Sequence, residues 1–104
     1  MIKVHIKHDL NQINQIEVSG HASYDDSGKD IVCSAVSTAI IVTINALEKL
    51  EVLDQVKYDI EEGYFFMVID KHNDILNALI DNLVYSLDNL NSQYPKYIKI
   101  KKEG

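Results

Sequence analysis

Between Ile31 and Leu50 the chain runs without glycine, proline or strand-like alternation, and apolar residues recur at helical spacing through Val32, Val36, Ala39, Ile40, Leu47 and Leu50. This stretch predicts a long helix, and it limits the folds open to the chain. Ile31, Ala35, Val42 and Ala46 join them, and the apolar groups spill onto more than one face. A helix apolar nearly all round is a covered one, so it is expected to lie between a sheet and another layer, or against a second subunit.

The rest of the sequence supplies strands in pairs. Ile2, Val4 and Ile6 alternate with Lys3, His5 and Lys7, and after a polar turn over Asp9 to Asn14 the period of two returns at Ile16 and Val18. Val56, Tyr58 and Ile60 alternate before Glu62 and Gly63, and the aromatic, β-branched run from Tyr64 to Asp70 completes a second hairpin. A second helix is predicted from Ile75 to Leu90 on a narrow apolar stripe, capped by Asn73 or Asp74, and after Pro95 a last strand covers Tyr97, Ile98 and Ile100. The expected order is β-β-α-β-β-α-β, an α+β two-layer sandwich with two helices on a mainly antiparallel sheet. With 104 residues, 46% apolar and 25% charged, the chain is read as a single domain over 1–104.

Charge and composition narrow the function classes. Sixteen acidic against 10 basic side chains give a net charge of -6, which disfavours nucleic acid as a partner and favours a basic protein or peptide. Lys96, Lys99, Lys101 and Lys102 are read as a solvated edge that limits strand pairing. One cysteine makes no internal disulfide, which points to the reducing cytosol, and Met1 to His5 lacks the pattern of a secretory signal. The apolar stretches are read as falling short of the roughly 20 residues that span a bilayer, so no membrane partner is expected.

The chemistry lies between Gly20 and Ser37. The Ser, Asp and Gly-rich segment from Gly20 to Lys29 is expected to be a mobile loop. Asp30 then caps the long helix in this reading, which makes the lone thiol, Cys33, its third residue. Unpaired amides and the positive end of the helix dipole would favour the thiolate there and cradle an oxyanion. His21, at the end of the second strand, is the residue type that carries protons near neutral pH, and Gly20 before it suits a tight exit from the strand. Spacing alone leaves two readings open: a nucleophile with its base, or a core cysteine and a surface histidine.

Gly20-His21-Ala22, a loop ending in Gly28-Lys29, and Asp30-Ile31-Val32-Cys33-Ser34-Ala35-Val36-Ser37 resemble the signature of the ribosomal-processing cysteine protease family, Prp. The family pattern reads Cys-Ala-Ala-Val-Ser, and Ser34 is a small-for-small departure from it. The resemblance implies that Cys33 is the nucleophile and His21 its general base and later acid. It also implies a substrate, the N-terminal extension of a large-subunit ribosomal protein cut after an aromatic residue, and a homodimer in the cytoplasm. Ser37 shares the face of Cys33 one turn on, and Asp30 is either a cap or the group that orients His21. Gly20 and Tyr24 are candidates for contact with the substrate.

No metal or cofactor is expected. Gly28-Lys29 lacks the glycine at Ser23 and the hydroxyl at Asp30 that a phosphate loop needs, and His5, His8, His21 and His72 are too scattered for a structural zinc site. The alternatives to a protease are a non-enzymatic dimeric assembly factor that grips the same basic extension, and a redox sensor built on Cys33.

Overall fold

The computed structural model describes residues 1–20 and 27–104, and for residues 27–30 the backbone alone. Ile2–Asp9 forms β1 and Gln12–Ser19 forms β2. Leu10 and Asn11 between them both take positive φ, 52° and 64°, as a two-residue hairpin turn requires if its twist is to match the strands. The turn is therefore tighter than the polar stretch from Asp9 to Asn14 implied, because Ile13 is buried and is held in the sheet.

Then follow α1 (Ser27–Lys49), a short 3-10 turn (Leu53–Gln55), β3 (Val56–Glu61), β4 (Tyr64–Ile69), α2 (Asp74–Gln93) and β5 (Ile98–Glu103). The order is the expected β-β-α-β-β-α-β, with the 3-10 turn added. The strands lie as β3-β4-β2-β1-β5, antiparallel except for β5, which runs parallel to β1 after the α2 crossover. β5 begins after Tyr97, which falls in a turn, and continues past Ile100 to Glu103.

Register decides which face is apolar. Val4 pairs with Val18 and Val18 with Phe65, so these residues share one face, and all three are buried with Ile6, Ile16 and Met67. The helices pack there, adding Val32, Val36, Ile40 and Leu47 from α1 and Leu76, Ile80, Leu83 and Leu87 from α2 to one cluster. Each such side chain contributes about 1.5–3 kcal/mol on removal from water. α2 starts where expected: the Asn73 side chain accepts from the Leu76 N–H at 2.9 Å, and its amide donates to Gln55 in the 3-10 turn.

Three expectations about α1 change. The helix begins at Ser27, so Asp30 lies inside its first turn and does not cap it. Ser27-x-x-Asp30 has itself the hydroxyl-to-carboxyl spacing of a helix start, and that signal outweighs Gly28. Within one protomer the helix is covered on one side only, since Ile31 and Val42 stay 58% and 59% exposed, so among the described residues no second layer lies over its other face. Finally, Ile31–Lys49 is long and apolar enough to cross a membrane, contrary to the reading of the sequence. Here 28% of that span is buried, with Val36, Ile40 and Leu47 packed in the core cluster and the remainder left uncovered.

Candidate active site

Cys33 is half-buried on the edge of the core and lines a cavity of 420 Å³ between α1 and the β3–β4 hairpin. The start of α1 at Ser27 makes it the seventh helical residue and not the third. Dipole effects and unpaired amides are confined to the first turn, so the helix-start argument for activating this thiol loses its premise. What the fold gives Cys33 instead is an open cavity. Ser37, one turn further along α1, lines the same cavity and is solvent-exposed, so the expectation that it shares the face of Cys33 holds.

Gly20 lines the same cavity. Its φ is +116°, a conformation that side chains resist, and a Cβ built there would overlap the Met1 carbonyl oxygen. Its N–H donates to the Gly63 carbonyl at 3.1 Å, which ties the end of β2 to the β3–β4 turn. Gly63 turns that hairpin with a φ of +73°. Thus the residue preceding His21 is locked into the wall of the cavity that holds Cys33. His21 and Tyr24 fall within residues 21–26, outside the described residues, and so does the side chain of Asp30.

The β3–β4 turn is the part of the site that reasoning on the sequence missed. Glu61, Glu62 and Gly63 line the cavity across from α1, and Glu61 and Glu62 are exposed at its rim. Locally they read as a turn and nothing more. Their position follows from the pairing of Ser19 with Tyr64, a long-range register that no local pattern encodes. Beside them the Tyr64 hydroxyl donates to Glu17 Oε2 at 2.8 Å. That hydrogen bond, then burial and the Glu17, Asp59 and Glu61 charges, hold the phenol above its ordinary value, so this wall is electronegative.

The other described histidines lie elsewhere. His5 and His8 on β1 contact Glu103, and His72 Nδ1 is 2.7 Å from Asn77 Oδ1. Among the described residues no three acidic, histidine or cysteine side chains gather closely enough to hold a metal ion.

The model of the family described as Cysteine protease Prp matches residues 1–99. The ribosomal processing cysteine protease Prp of Staphylococcus aureus is 27% identical over 103 residues, covering 96% of this chain and 97% of the relative. That of Bacillus subtilis is 28% identical over 95 residues, covering 85% and 84%. The same fold is found in the crystal structure of S. aureus Prp in complex with a substrate peptide, with a TM-score of 0.88 at 23% identity over 99% of this chain and 100% of that one. A Streptococcus mutans protein gives 0.80 at 25% identity over 99% and 94%. A family match along nearly the whole length, the shared fold and a lone cysteine on a cavity agree: the chain belongs to the Prp family and is a cysteine protease.

Proposed function

We propose that the protein removes the N-terminal extension of a large-subunit ribosomal protein in the cytoplasm, with Cys33 as nucleophile and His21 as general base and then acid. The observation that carries this reading is that Cys33 and Gly20, the neighbour of His21 in the chain, line one cavity. The Cys33 sulfur attacks the scissile carbonyl carbon while His21 takes the thiol proton. The C–N bond breaks as His21 returns that proton to the leaving amine. Water, deprotonated by His21, then hydrolyses the thioester and frees the extension with a new carboxylate.

The rim residues Glu61 and Glu62 support a basic substrate, as does the net charge of -6. In this reading Ser37 hydrogen-bonds the substrate next to Cys33, Asp30 orients His21, and Gly20 and Tyr24 contact the substrate. A homodimer fits the outer face of α1, where Ile31 and Val42 lie exposed on a helix with no charged residue between Ile31 and Leu47.

The test is incubation with a peptide spanning the junction between extension and mature protein. One cut and two fragments are expected, slowed about 10²–10⁴-fold in His21→Ala. No cut, or a His21→Ala variant as fast as the parent, overturns the reading.

A further inference from the structure

The face of the sheet that carries no helix has its charges sorted. Register places Glu61, Tyr64, Ser19, Lys3 and Lys99 in one row across the strands, and Asp59, Phe66, Glu17, His5 and Lys101 in the next. The carboxylates of these rows stand on β3 and β2, and the lysines on β1 and β5. In the third row Lys7 extends the basic half along β1, roughly 14 Å from Lys3 at about 3.4 Å per residue. Within the three rows the basic half holds one carboxylate, Glu103, and it is bonded to Lys101 and His5. Lys3, Lys7 and Lys99 are left exposed and without an ion pair among the described residues.

Lysines on an edge strand discourage pairing with another chain, which accounts for Lys99 and Lys101 on β5. It does not account for Lys3 and Lys7, because β1 is hydrogen-bonded on both sides. Lys3 stands beside Lys99 on strands about 4.8 Å apart, a like-charged pair that works against the stability of the sheet. An anionic partner supplies the reason for assembling this field.

We propose that this basic half-face docks the phosphate backbone of RNA. The net charge of -6 disfavours nucleic acid on average, but contact is governed by the local field, and Glu17, Asp59 and Glu61 confine a phosphate chain to the β1–β5 side. The basic half of the three rows has no apolar side chain to bury in lipid, so it suits a phosphate backbone better than a membrane. The choice of RNA among polyanions rests on the proposed substrate, because a ribosomal protein is itself an RNA binder; the charge pattern stands without that reading. Lys3 pairs with Ser19, and the next residue, Gly20, lines the Cys33 cavity. RNA held by the row of Lys3 and Lys99 therefore lies at the end of the sheet where the nucleophile is, and a ribosomal protein bound to that RNA is brought to the site.

The test is titration of the full chain with a short fluorescent single-stranded RNA of mixed sequence. Contact with three to four phosphates predicts a log-log salt slope of about -2 to -3, a loss of roughly 20- to 50-fold in affinity between 50 and 200 mM salt. Lys3→Gln and Lys99→Gln should each flatten that slope by about 0.7, and the double reversal Lys3→Glu with Lys99→Glu should weaken binding at low salt about tenfold or more. Lys71→Gln, after β4 and outside these rows, should leave the slope unchanged. All of these variants should keep the parent melting temperature to within a few degrees and cut the junction peptide at the parent rate, since none of the four lysines lines the Cys33 cavity. The inference is overturned if the RNA does not bind at 50 mM salt, or if neither Gln variant at Lys3 or Lys99 changes the slope. It is also overturned if phosphatidylserine vesicles or polyglutamate bind as tightly as the RNA, since the partner is then another anion. A protein that binds RNA through these lysines yet cuts no junction peptide upholds the docking face and overturns the protease reading.

Discussion

The two helices each bury one stripe against the same sheet, yet they meet water differently. α2 buries Leu76, Ile80, Leu83, Val84 and Leu87 and exposes Asp74 and Asp81, with Asp88 bonded to Lys102 at 2.8 Å. α1 buries Val32, Val36, Ile40 and Leu47 but carries no charged side chain from Ile31 to Leu47, and it leaves Ile31, Ile41 and Val42 uncovered. A helix that only holds a fold together needs one apolar stripe and a solvated back, and α2 is built that way. The surplus apolar surface of α1 lies along the cavity of Cys33 and on its outer face, where this account places substrate and second subunit.

Mutations separate the two helices. Leu83→Ala in α2 empties a fully buried site and is expected to lower stability by about 2–5 kcal/mol in denaturant titrations, with turnover per folded molecule unchanged. A loss of turnover at full stability would show that α2 also serves the reaction. Asn73→Ala removes the cap of α2 and should cost about 1 kcal/mol by the same measurement, and a cost near zero would mean that the Leu76 N–H finds another acceptor. Val42→Asp, on the outer face of α1, is expected to leave the stability of the protomer within about 0.5 kcal/mol while dissociating the proposed dimer in sedimentation. An unchanged sedimentation profile would remove that face from the interface.

The smallest effect belongs to the sheet edge, away from either helix. Hydrogen bonds from Lys101 and then His5 hold the Glu103 carboxyl below its ordinary 4.5. A lowered folded value means that its stabilising contribution is present above 4.5 and is lost as pH falls through the folded value. Glu103→Gln should therefore flatten slightly the decline of stability below pH 4.5, and a steeper decline would contradict the assigned bonds.

The same contrast explains what was legible in the sequence. The five strands and α2, with its Asn73 cap, are written in local periodicity and capping chemistry, and they appear in the expected order, with only the start of β2 and the bounds of β5 shifted. The start of α1 was misplaced because Asp30 and Ser27 both carry start signals and only one can open the helix. Cys33 could be singled out from the residues around it, but the cavity it faces could not. That space is lined by Gly20 and Gly63 and by Ile41 and Ile60, pairs 43 and 19 positions apart in the chain that sheet register and helix packing bring to one cavity and that no local pattern links.

The central claim is that the thiol on the α1 side of this cavity does the cutting. Its most direct test is the rate at which Cys33→Ala cleaves the junction peptide, with binding measured alongside. The account predicts a loss of about a thousandfold or more with the peptide still bound, because only the attacking atom has been removed. Cleavage at the parent rate would contradict it.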